Sequence, residues 1–225
     1  MDKHNKNKRP DLIIFDMDGL MLDTEPIAID GWMAAALECG LDFPKGLLES
    51  LIGLNRLKCQ QTMEEVMGPS FDFESAHSVV MSYVDTHILD KGIATKPGLE
   101  FILDKLEELG IKKCVATSTD SQRAAHKLSI VGILHRFDVV VGGDQVKNSK
   151  PDPEIFQKAA SLCGVSPSSA VVLEDSAAGA MGAYKAGMRV ILVPDLVKPS
   201  TKTRGHSYAV CGDLFEAFDV ISKMW

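Results

Sequence analysis

DLIIFDMDGLMLDTE, residues 11–25, is the stretch from which the rest of the chain is read. Leu12 to Phe15 is an apolar, β-branched run with the length of a buried strand, and Asp16, Asp18 and Gly19 follow it at once. Two carboxylates therefore stand where a strand ends. In open α/β sheets that edge is where ligands bind. Taken alone, an Asp-x-Asp pair fits a loop or a helix cap better than chemistry, so the downstream segments decide.

Going outward, Pro26 suits the first turn of a helix that Thr24 could cap, with Ile27, Trp32, Ala36 and Leu37 as its apolar contacts. From there to Gly92 the pattern is helical and discontinuous. Pieces at 45–52, 57–67 and 74–89 are separated by Gly53, by Gly68-Pro69 and by the stretch around Asp72. The character changes at Lys96-Pro97-Gly98. Leu99, Ile102, Leu103, Leu106 and Leu109 keep helical spacing, Gly110 closes that helix, and Lys113 to Thr117 reads as a strand. Helices near 121–131, 153–163 and 176–187 then alternate with strands at 137–141, 170–173 and 190–193. A short strand at 208–210 and a helix from Leu214 to Met224 complete the chain. Such alternation predicts an α/β fold, a doubly wound parallel sheet with right-handed crossovers, carrying an inserted all-helical cap domain. The expected division is a disordered tail over 1–10, a core formed by 11–24 and 95–225, and a cap over 25–94.

At 225 residues, of which 45% are hydrophobic and 24% charged, the chain can bury a sizeable core without staples. The formal net charge of -7 argues against nonspecific nucleic-acid binding, since there is no basic excess to displace counterions. It does not exclude a small phosphorylated substrate, because a bound divalent cation reverses the local field. The five cysteines are widely spaced and form no Cys-x-x-Cys pair, the pattern of buried thiols in a reducing compartment. The opening MDKHNKNKRP lacks the apolar centre of a signal peptide, and no apolar run approaches the ~20 residues of a membrane span. The expectation is a cytoplasmic protein with no membrane partner, read as a monomer with a dimer left open.

The groups capable of chemistry fall at the carboxyl ends of successive strands. Asp16 and Asp18 follow the first, Thr117 and Ser118 the second, Lys150 the third, and Glu174 and Asp175 the fourth. In a parallel sheet these ends share one edge, so residues far apart in sequence converge. The residue types suit phosphoryl transfer. Asp16 can attack phosphorus as an anion without a base to activate it. Asp18, two residues on, can protonate a leaving oxygen and then deprotonate water. Oxygen-only ligation by Asp16, Asp175 and the Asp18 backbone carbonyl suits Mg²⁺. Thr117, Ser118 and Lys150 can hold phosphoryl oxygens. Local alternatives stand beside these roles: Thr117 and Ser118 as helix caps, Lys150 as a surface lysine, Glu174-Asp175 as a cap that complements a helix dipole. The small-sided helix from Ala177 to Gly187 reads as close packing on the sheet, a structural feature.

Together FDMDG, VATSTD, SKPDPEIF and VVLEDSAAGAMGAYKAGM resemble the haloacid dehalogenase-like hydrolase superfamily, in particular its β-phosphoglucomutase-like phosphatase branch with an inserted helical cap. The resemblance covers residues 11 to about 195. It implies Asp16 as nucleophile, Asp18 as general acid and base, Thr117 and Lys150 as phosphate binders, and Asp175 as a magnesium ligand, with Glu174 binding the metal directly or through water. An aspartate at 18 is the phosphatase pattern, since the dehalogenases of the superfamily lack that second acid. Gly53-Leu54-Asn55-Arg56 is similar to a loop in which related mutases place a phosphate-holding arginine, which makes Arg56 a candidate substrate contact. Those mutases also carry a histidine early in the first cap helix, and here none occurs between His4 and His77. His77, His87, His126, His135 and His206 are read as structural or surface residues. The expected function is Mg²⁺-dependent hydrolysis of a small phosphomonoester, a sugar phosphate or nucleotide-like monoester. A phosphomutase and a non-catalytic phospho-ligand-binding regulator are the rivals.

Overall fold

The computed structural model describes residues 9–225. Most of the expected tail over 1–10 therefore lies outside the described residues. Its last two residues are placed: Pro10 is buried, and the Arg9 guanidinium stands 5.7 Å from the centre of the Trp225 ring.

The apolar run becomes β1 (Leu12–Phe15), every residue of which is buried. It is followed by four helices, α1 (Glu25–Cys39), α2 (Leu47–Ser50), α3 (Arg56–Met67) and α4 (Phe73–Lys91). Strand and helix then alternate through α5 (Leu99–Glu108), β2 (Lys112–Ala116), α6 (Ser121–Ile130), β3 (Val139–Val141), α7 (Glu154–Leu162), β4 (Ala170–Glu174), α8 (Ala177–Lys185) and β5 (Arg189–Leu192). The chain closes with α9 (Thr201–His206), β6 (Ala209–Val210) and α10 (Leu214–Ser222). Of these, α9 has no counterpart in the sequence reading. Its six residues, TKTRGH, offer no apolar periodicity, and the helix is started by Ser200, whose hydroxyl accepts from the Thr203 N–H.

All strand pairs are parallel, in the order β3-β2-β1-β4-β5-β6. Connections leave β1 toward β2 on one side, and β4 returns on the other. The C-terminal ends of β1 and β4 thus flank the switch point where such sheets bind ligands. The alternation along β1 separates two apolar layers. Ile13 and Phe15 pack with α5, α6 and α10 residues such as Ile102, Leu128 and Leu214. Leu12 and Ile14 pack with α7 and α8 residues such as Phe156 and Ala183. A third cluster, including Trp32, Leu51, Met63, Phe73 and Val80, belongs to the helical insertion alone, which gives the cap a core of its own.

The two chain crossings between sheet and cap run side by side. Asp23 N–H donates to the Ala94 carbonyl at 2.9 Å and Lys96 N–H to the Met21 carbonyl at 2.8 Å, with an antiparallel bridge between Leu22 and Thr95. Lys96 Nζ adds ion pairs to Asp23 at 3.2 Å and to Asp195, in the loop after β5, at 2.7 Å. Among the described residues, no helix is long and apolar enough to cross a membrane.

Candidate active site

Backbone geometry delivers Asp16 just past β1, and a single ammonium ties it to two other strands. Lys150 Nζ donates to Asp16 Oδ1 at 2.5 Å, to Glu174 Oε1 at 2.7 Å and to the Ala116 carbonyl at 3.0 Å. Its side chain is 2% exposed, so the reading as a surface lysine fails. All three ammonium hydrogens are engaged. Burial works against its charge, but Asp16 and Glu174 outweigh it and hold the Lys150 pKa above that of an ordinary lysine.

Around that one cation stand three buried carboxylates, Asp16, Glu174 and Asp175, whose oxygens come within 4.8 Å of one another. Burial is the main reason that the Asp16 pKa is pushed up to about 7; Lys150 pulls it down, while Glu174 and Asp18 push it up. Asp175 is raised well above the carboxylate range by burial and then by Glu174, Asp16 and Glu25. Glu174 Oε2 accepts from the Ser176 N–H at 2.8 Å and hydroxyl at 2.9 Å, and Ser176 in turn caps α8. Asp175 accepts no hydrogen bond among the described residues. Negative charge in excess of protein donors, carried wholly on oxygen, is the donor set that fits a hard divalent cation. Two glycines make room for it. A Cβ at Gly19, whose φ is +82°, would stand 2.4 Å from Asp175 Oδ2, and one at Gly179 would stand 1.6 Å from Glu174 Oε1. The small side of α8 is thus a requirement of the site as well as of packing.

The Asp18 carboxylate is held by three donors of its own. Its Oδ1 accepts from the Thr24 hydroxyl at 2.6 Å and from Lys127 Nζ at 2.6 Å, and its Oδ2 accepts from the Thr119 hydroxyl at 2.7 Å. Burial opposes ionisation, but the Lys127 charge and the three hydrogen bonds prevail and hold Asp18 below the ordinary carboxylate range. Thr24 does not cap α1 as the sequence suggested. Its hydroxyl is committed to Asp18, and α1 begins without a side-chain cap. Lys127 and Thr119 were not singled out from the sequence. The available signal was positional: Lys127 shares the inward stripe of α6 with Ala124 and Leu128. Capping of α6 falls to Asp120, which accepts from the Gln122 and Arg123 N–H groups, and not to Thr117 or Ser118.

Asp16, Asp18, Thr117, Ser118, Lys150, Glu174, Asp175 and Arg56 all line one cavity of about 300 Å³ between sheet and cap. Thr117 is buried, and its Oγ1 accepts from the Thr119 N–H at 3.1 Å. The cap leans on this edge. The Ser118 hydroxyl donates to the Gly53 carbonyl at 3.5 Å, Lys58 Nζ donates to the Lys150 carbonyl, and Arg123 pairs with Asp85 at 2.6 Å. Arg56 is half-exposed, pairs with Glu74 and stands 5.8 Å from the centre of the Phe73 ring. The cap wall is largely apolar, with Ile27, Trp32, Leu51, Val80 and Val84. Glu25 interrupts it, its pKa pushed up to about 8 by burial and then by Asp18 and Asp16. His77, expected to be structural or superficial, also lines the cavity, stacked on Phe73 at 5.1 Å and held below the usual histidine pKa by burial and Arg56.

Residues 13–193 match the haloacid dehalogenase-like hydrolase family. The chain is 32% identical over 182 residues to a phosphorylated carbohydrates phosphatase of Thermotoga maritima, covering 80% of this chain and 82% of that protein. It is 30% identical over 190 residues to a fructose-1-phosphate phosphatase of Escherichia coli, covering 80% and 94%. In three dimensions it is similar to β-phosphoglucomutase of Clostridium difficile, with a TM-score of 0.80, 25% identity, and 96% of each chain covered. With the sheet order, the helical insertion and the clustered aspartates already described, these matches establish that the chain belongs to the haloacid dehalogenase-like hydrolase family.

Proposed function

We propose that the protein is a Mg²⁺-dependent phosphatase that hydrolyses a small phosphomonoester, a sugar phosphate or nucleotide-like monoester, through an aspartyl phosphate on Asp16. The observation that carries this reading is the convergence of Lys150, Asp16, Thr117 and Ser118 in one cavity between sheet and cap. There Asp16 Oδ1 or its partner oxygen attacks phosphorus, the ester oxygen leaves with a proton, and the resulting acyl phosphate is hydrolysed by water. Lys150, Thr117 and Ser118 hold the phosphoryl oxygens and offset the charge that builds on them. Asp18 supplies the leaving-group proton in the first step and takes one from water in the second. Its setting of Lys127, Thr24 and Thr119 favours the anion, the form that the second step needs.

Asp16, Asp175 and the Asp18 backbone carbonyl would hold the cation, with Glu174 bound through water because both its oxygens already have protein donors. Once bound, Mg²⁺ supplies charge neutralisation that lets an anionic carboxylate approach an anionic phosphate. The apolar cap wall excludes water and suits the body of a compact ester, and Glu25, His77 and Arg56 are the polar groups that would select it. The described cysteines are unpaired, which fits the reducing cytoplasm, and we place the enzyme there as a monomer.

A phosphomutase is the second reading, favoured by Arg56 at the cavity rim; against it, α1 contributes Glu25, Ile27, Ala28, Ile29 and Trp32 to the cavity and no histidine. Phosphate release should be measured from a panel of sugar phosphates and nucleoside monophosphates, with and without Mg²⁺, with Asp16→Asn as control. Metal-dependent release that is lost in Asp16→Asn is expected. Isomerisation of a sugar 1-phosphate to its 6-phosphate in excess of phosphate release would replace the hydrolase by the mutase.

A further inference from the structure

Asp195, in the loop after β5, takes no part in the chemistry above, yet it is anchored and aimed. Its side chain is 10% exposed. Oδ1 accepts a 2.7 Å hydrogen bond from Lys96 Nζ. Oδ2 is buried and has no hydrogen-bond partner among the described residues. A carboxylate oxygen left so is costly, and its surroundings indicate what satisfies it. They are the metal-binding carboxylates. The point where a Cβ of residue 19 would stand is 3.5 Å from Asp195 Oδ2 and 2.4 Å from Asp175 Oδ2. Two carboxylate oxygens, neither with a protein donor among the described residues, thus face the same point that the glycine leaves open, each within 3.5 Å of it.

Two carboxylates do not share such a gap without positive charge or donated hydrogens between them. We infer that Asp195 is an outer-sphere member of the divalent-cation site, with Oδ2 accepting a hydrogen bond from a water that the cation holds beside Asp175. The inference rests on the cation-dependent reading above and extends it. Lys96 engages Oδ1 alone, which leaves Oδ2 for the water. Outer-shell carboxylates of this kind typically contribute 10–100-fold to metal affinity, on the order of the loss expected here.

Mn²⁺ binding to the full chain, followed by the electron paramagnetic resonance signal of the free ion, tests this without reference to turnover. Asp195→Ala should weaken binding by about 10-fold or more, and Asp195→Asn, which keeps an uncharged acceptor, by less. Lys96→Met removes the ion pair but leaves Oδ2 in place and should bind Mn²⁺ as tightly as the parent. Thermal melts in EDTA check that each variant is folded, and Asp195→Asn carries the test if Asp195→Ala is not. Parental affinity in both Asp195 variants would overturn the inference. So would an equal loss in Lys96→Met, which would assign the effect to the strap that Lys96 forms between Asp23 and Asp195. Absence of Mn²⁺ binding in the parent itself would instead remove the cation-dependent reading, and Asp195's part with it.

Discussion

The metal-free protein should lose stability as pH rises from about 5 to about 7, and Mg²⁺ should cancel that loss. The Asp16 carboxyl has an ordinary pKa of 3.8 and is pushed up to about 7 in the fold. Between those values the folded state keeps a proton that the unfolded chain has released. The associated stability is therefore fully present below the unfolded pKa and is lost as pH climbs through the folded one. At about 1.4 kcal/mol per unit, two units amount to about 3 kcal/mol. Asp175 and Glu25, also raised, act in the same direction. His77, held below its ordinary value, acts in the opposite one. A cation bound by these carboxylates expels the shared protons, so its binding grows stronger as pH rises. Urea midpoints at the two pH values, in EDTA and in excess Mg²⁺, give the answer. The Mg²⁺-induced gain should be larger at the higher pH by an amount on the order of the Asp16 contribution. An equal gain at both pH values would refute the assignment of these carboxylates to the cation.

Lys127→Met should raise the pKa of Asp18 and move the acidic limb of the pH–rate profile upward, because the anion is needed to deprotonate water. Turnover near neutral pH should fall by about 10²-fold while KM changes little, and an unshifted profile would show that Lys127 does not govern Asp18. Gly179→Ala brings a methyl to 1.6 Å from Glu174 Oε1 and should destabilise the protein by about 1–3 kcal/mol in denaturant melts. Gly205→Ala in α9, with no neighbouring atom within 4 Å, should be neutral or slightly stabilising in the same assay.

The sheet was legible because its strands announce themselves twice, as short β-branched runs and as the intervals between helical periodicities. Leu12–Phe15 was bounded to the residue, since an apolar run meets Asp11 on one side and Asp16 on the other. The convergence of Asp16, Thr117, Lys150 and Asp175 followed from parallel topology alone. What stayed hidden depends on side-chain direction across distant segments. Thr24 looked like a cap because local spacing cannot show that Asp18 claims its hydroxyl. Lys127 is one lysine among many until α6 is laid against β1. From the sequence, Glu25 has no assigned role and His77 reads as structural or superficial; both become walls of the cavity only once the cap folds over the sheet. Asp195 gains meaning only beside Gly19, a proximity of two loops that no periodicity encodes.

The central claim is that phosphorus is transferred to Asp16. Protein mixed with a substrate found in the phosphate-release panel should be quenched in acid during turnover and reduced with borohydride, which converts an aspartyl phosphate to homoserine, and the peptide spanning residues 11–25 read by mass spectrometry. Homoserine at position 16, absent without substrate and absent in Asp16→Asn, is the predicted result. Homoserine at another aspartate would contradict the account, as would sustained turnover by Asp16→Asn.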